Sequence, residues 1–163
     1  MYQEAKGRIR DADILSGNIN RSSDSDALLR ILGFEILLKC VLLICRQTPK
    51  NNHNYSKLWL GLPVYVQKEI LDSAKSRAAG HADYSDLPKL LNSFQYVFEN
   101  ARYFYEVYKG FTLDQQKQFG VYWEELGSPT EIADVTYYPM ELLGLIDGLS
   151  KYIESNLSNK RVN

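Results

Sequence analysis

Apolar residues recur at helical spacing along most of this chain, and strict alternation is rare. The segment from about Asp26 to Arg46 is apolar on nearly every side, which predicts a central helix packed by several neighbours. Within it Glu35, Lys39 and Arg46 fall in one angular sector, a polar stripe on an apolar rod. Ahead of it, residues 2–16 predict a modestly amphipathic helix with Ile9, Ala12 or Asp13, and Leu15 near its buried side. Gly17-Asn18 stops that helix, and Ser22-Ser23-Asp24 offers N-cap chemistry to the next. Pro49 and Asn51-Asn52 predict a loop, then a short helix from roughly His53 to Leu60. Gly61-Leu62-Pro63 breaks the chain and opens a helix to about Ala79, ended by Gly80.

Ser85 or Asp86 caps a long helix that the pattern extends to about Lys109. Its apolar face is Leu87, Leu90, Leu91, Phe94, Val97, Phe98, Ala101 and Tyr105. Gln95, Glu99, Arg102 and Glu106 lie opposite. A short helix is expected near Leu113–Phe119, then irregular structure or a small hairpin around Gly120–Tyr138. A last helix, from near Pro139 to about Leu157, buries Leu142, Leu143, Leu145, Ile146, Leu149 and Ile153. Strand signals are confined to Val121-Tyr-Trp and Val135-Thr-Tyr-Tyr. The expected fold is therefore all-α, an up-and-down bundle of about five main helices. One domain is expected over residues 1–157, with a flexible tail over 158–163.

Composition narrows the function classes. The chain has 163 residues, 45% of them hydrophobic and 24% charged, as in an ordinary globular protein. A net charge of -1 provides no global positive field for duplex DNA, so any nucleic-acid contact must be a local patch. Cys40 and Cys45 point apart on one helix and read as small core residues in a reducing compartment. The first residues carry no apolar run, and Glu35 and Lys39 interrupt the longest apolar segment. No secretory signal or membrane span is expected, and a cytoplasmic location is. The chain has no phosphate-cradling glycine loop, nucleophile elbow or HExxH motif, and its two Cys and two His do not have zinc-site spacing. No metal or cofactor is expected.

Three elements in order resemble the HEPN family (higher eukaryotes and prokaryotes nucleotide-binding domain). The first is Glu35-x-x-x-Lys39 within an apolar helix. The second is His53 leading to Leu58 and the Leu62-Pro63 break. The third is Arg102, Tyr103, Tyr105 and Glu106 in a later long helix. The likeness covers roughly residues 25–155. It implies a bundle of about four or five helices, usually dimeric, so a homodimer is expected. It further implies RNA or nucleotide binding in a bacterial defence, stress or toxin–antitoxin module (phage defence included), with an antitoxin or other protein as a partner. Many relatives are metal-independent endoribonucleases whose signature is Arg and then His with four to six residues between them. Here Arg102 has no His downstream, since the chain holds only His53 and His81. Arg46 and His53 fit the spacing, six residues lying between them, but at a different place in the pattern.

Metal-free RNA cleavage needs a group that exchanges protons near neutral pH, and a cation for phosphoryl charge. Imidazole and guanidinium suit those tasks. His53, Arg46 and Arg102 are therefore the candidate catalytic residues, and Lys50, Asn54 and Lys57 the candidate phosphate contacts. Structural readings stand beside these. His53 opens the short helix, and His81 is an exposed loop residue. Glu35 and Lys39 form an i,i+4 pair, and Arg102 pairs with Glu99 or Glu106. Arg46 complements a helix dipole. Glu35, Lys39, Glu99, Glu106 and Tyr105 then compose a structural polar network. Tyr103, Tyr105, Tyr108, Tyr122, Tyr137 and Tyr138 suit base stacking or plain packing. Three functions remain open: an RNA or nucleotide binder with a degenerate catalytic motif, an endoribonuclease leaving a 2',3'-cyclic phosphate, and a protein-interaction scaffold.

Overall fold

The computed structural model describes residues 1–17, 25–49, 53–77, 79–100, 109–127 and 136–159. Among the described residues there are seven helices and no strand. They are α1 (Tyr2–Ser16), α2 (Ser25–Ile44), α3 (Tyr55–Leu60), α4 (Val64–Arg77), α5 (Leu87–Asn100), α6 (Leu113–Glu125) and α7 (Pro139–Asn159). The chain is an all-α bundle, as the hydrophobic pattern predicts.

The core forms around α2. Ile31, Phe34, Leu37, Leu38 and Val41 are wholly buried and point in several directions, so neighbours cover most of this helix. It packs against α1, α3, α5 and α7. Small residues set the closest crossings. Ala5 and Ala12 of α1 are wholly buried, and a Cβ on Gly33 of α2 would lie 2.7 Å from Ile9 Cγ1. On α7, Gly144 and Gly148 repeat one turn apart and face α4. A Cβ on Gly148 would stand 2.5 Å from the Ile70 carbonyl oxygen, and one on Gly144 would meet the Tyr84 hydroxyl. Two helices can approach backbone to backbone there only because those side chains are absent. Tyr84 fills the notch and donates its hydroxyl to the Glu141 carbonyl at 3.3 Å.

Several boundaries differ from the sequence expectation, each for a local reason. Helix α2 ends at Ile44. Arg46 then takes a left-handed conformation (φ 58°), with its N–H on the Leu43 carbonyl and that of Gln47 on the Leu42 carbonyl. This is the glycine-favoured Schellman arrangement, built here on an arginine. Helix α3 starts at Tyr55 because Asn54 caps it, its side chain accepting from Lys57 N–H at 2.8 Å. His53 thus lies outside the helix. The hairpin expected from Gly120 is overturned on its first arm, since α6 continues through Gly120 to Glu125. A reciprocal capping box between Thr112 and Gln115 fixes the start of α6, and the strand-favouring Val121, Tyr122 and Trp123 are carried along in its last turns. Helix α7 runs to Asn159, past the expected end near Leu157. Residues 101–108, where Ala101, Arg102, Tyr103, Tyr105, Glu106 and Tyr108 fall, lie outside the described residues, as do 128–135 and 160–163. Among the described residues no helix is long and apolar enough to cross a membrane.

Candidate functional site

The polar stripe of α2 leads to one buried carboxylate. Glu35 is only 4% exposed, and its two oxygens accept from three side chains. Lys39 Nζ, one turn further along the same helix, lies 2.8 Å from Oε1. His53 Nδ1 lies 2.8 Å from Oε2, and the Tyr55 hydroxyl donates to that oxygen at 3.2 Å. These partners supply the compensation that a buried charge requires. Lys39 comes from the i,i+4 geometry of α2. His53 and Tyr55 come from the loop and first turn of α3, held in place by the Asn54 cap.

The three donors differ in their access to water. Tyr55 is wholly buried beneath the site, and the Lys39 side chain is 17% exposed. The His53 side chain is 52% exposed. The imidazole leans on Phe98 of α5, ring centroids 5.2 Å apart and planes tilted by 41°. Ser56 donates to Asn92 Oδ1 at 3.1 Å, a second tie between α3 and α5. A carboxylate only accepts, so Nδ1 carries the proton in this bond. Nε2 is then an acceptor in the neutral ring and a donor in the cation. The arrangement is an imidazole oriented from behind by a carboxylate, with its other nitrogen free to serve as a base, an acid or an anion contact.

Of the other expected site residues, the structure describes Arg46, Asn54, Lys57 and Glu99. Roughly 14 Å of helix axis separates Glu35 from Ile44, with Arg46 beyond it in the exposed turn. Asn54 spends its side-chain oxygen on the cap, and Lys57 lines a groove with Leu42 and Gly61. Glu99 accepts from Gln95 at 2.9 Å. Lys50, Arg102, Tyr105 and Glu106 lie outside the described residues. His81 is an exposed turn residue.

Two members of the site were not singled out from sequence. Tyr55 sits two residues after His53, and its hydroxyl had to find a buried acceptor once its ring entered the core. That requirement was a usable signal. Nothing in the linear pattern marks Phe98 as the platform under His53, because α5 and α3 meet only in the fold. Among the described residues, no three His, Cys, Asp or Glu side chains are grouped to hold a metal ion. Cys40 and Cys45 are free thiols, half-buried, and burial pushes the Cys40 thiol above its ordinary range. Comparison with family models, curated proteins and solved structures finds no match to this chain.

Proposed function

We propose that this protein is a HEPN-like helical domain that binds RNA or a nucleotide, with the ligand phosphate at His53. The observation that carries the reading is the 2.8 Å bond from the half-exposed imidazole to buried Glu35. With a neutral ring, the Lys39 charge cancels that of Glu35. A protonated ring leaves the cluster with one positive charge facing solvent, and an anion stabilises that state. The resemblance in Glu35-x-x-x-Lys39 and in the His53–Pro63 stretch supports the same reading, and the proposed setting is a bacterial defence, stress or toxin–antitoxin module.

Fluorescence polarisation with a labelled single-stranded RNA tests the proposal. Affinity should fall as salt rises, and His53→Ala should weaken binding by about tenfold. Unchanged affinity in His53→Ala would dismiss the assigned contact. No RNA affinity at any salt would favour a protein-interaction scaffold.

The same dyad also favours a second reading, a metal-independent endoribonuclease in which Nε2 handles the proton of the 2'-hydroxyl or of the leaving oxygen. In EDTA such an enzyme leaves 2',3'-cyclic phosphate ends, and the cleavage disappears in His53→Ala. Cleavage that survives this change belongs to other residues or to a contaminant.

A further inference from the structure

Among the described residues two apolar faces are open to solvent, and their charges are opposite. The first is the groove of about 400 Å³ where the end of α2 meets α3, with Leu42, Pro49, Leu58 and Leu60 among its lining. Lys57 also lines it, and among the described residues no acidic side chain does. Arg46, exposed in the left-handed turn, immediately precedes Gln47 of the same lining. Beyond Leu60, itself 74% exposed, the exposed Val64 and Tyr65 extend the apolar surface onto α4. The second face belongs to α6. No residue of that helix is buried, yet Phe119, Tyr122 and Leu126 fall at i, i+3 and i+7, and Tyr122 is 59% exposed. Helix α6 carries Asp114, Glu124 and Glu125 against Lys117 alone, a local charge of -2. Glu125 is the acid closest in angle to the Tyr122 edge of the stripe. Contiguous exposed apolar surface of this kind marks a contact site. The acidic edge disfavours an anionic membrane and suits a cationic protein groove.

We propose that α6 of one copy of this chain docks on the α2–α3–α4 groove of a second copy. The apolar stripe lies over Leu58 and Leu60, and Glu125 faces Lys57. Each copy carries both faces, so the contact is reciprocal in a closed dimer and propagates in a chain if it does not close. The proposal does not rest on the anion reading at His53, because self-association is measured without RNA.

Sedimentation of the full chain across the micromolar range tests it. The protein should associate with rising concentration, and Tyr122→Asp and Leu60→Asp should each weaken association on the order of tenfold. Lys57→Glu alone and Glu125→Lys alone should also weaken it. Mixing those two variants should restore it, since every contact in the mixed species pairs opposite charges. All four positions are exposed, and circular dichroism checks that each variant keeps its helices. A protein that stays monomeric throughout overturns the proposal. So does association that is indifferent to both the groove and the α6 substitutions, or charge variants whose mixture stays as weak as its components.

Discussion

Glu35 is the residue on which the most depends. It accepts from Lys39, His53 and Tyr55, and its removal takes a charged partner from the largely buried Lys39 and an acceptor from the buried Tyr55 hydroxyl. Glu35→Ala should lower stability by about 2–4 kcal/mol in urea denaturation. His53→Ala should cost under roughly 1 kcal/mol, because that side chain is half in water. The imbalance separates two roles: Glu35 holds the fold and orients the ring, whereas His53 is dispensable for folding and available for a ligand. If both changes prove equally destabilising, His53 is a structural residue. Arg46 presents the opposite case, a side chain placed by backbone demands. Its φ of 58° suits glycine, and Arg46→Gly should raise stability by roughly 0.5–1 kcal/mol, the left-handed penalty less the charge interaction with the helix end. A lower denaturation midpoint in Arg46→Gly would show that the guanidinium has a partner worth more than the strain.

Among the elements, α4 and α7 approach closely at two glycines whereas α6 buries no residue, and glycine substitutions read out both. Gly148→Ala should destabilise by about 2–3 kcal/mol, since its methyl would meet the Ile70 backbone rather than a movable side chain. Gly120→Ala in α6 should stabilise by up to about 1 kcal/mol, because nothing lies within 4 Å of the added carbon. A cost at Gly120 would mean that α6 is already covered in solution. Legibility followed the same division. Helices with a wide apolar face, such as α5 and α7, were readable from spacing alone. For α6 the spacing competed with strand-prone Val121, Tyr122 and Trp123 and with an internal glycine, and only the Thr112 capping box decides the outcome. The candidate site was half legible. The i,i+4 spacing of Glu35 and Lys39 is local, so the sequence contains it. The Glu35–His53 bond spans 18 positions and depends on how α3 leans on α5, which no local pattern encodes.

For the whole molecule, alkaline pH probes the packing. Burial pushes the phenols of Tyr84 and Tyr137 from near 10 to about 12, with the neighbouring Glu141 adding to the effect at Tyr84 and Arg30 opposing it at Tyr137. Both values are raised in the folded state. Above pH 10 the unfolded chain therefore sheds protons that the folded chain keeps. Their contribution to stability is complete below pH 10 and is lost as pH rises from about 10 through about 12. Urea midpoints measured across that interval should fall, and Tyr84→Phe should flatten the decline. A midpoint independent of pH in this interval would mean that these rings are hydrated in solution.

The Tyr2 hydroxyl donates to Glu154, and Lys6 stands 3.7 Å from the same carboxylate, so α1 is fastened beside the far end of α7. Mechanically, the polypeptide is a necklace with its clasp shut. Parting α1 from α7 requires opening that clasp, so a pull that draws these two helices apart strains it.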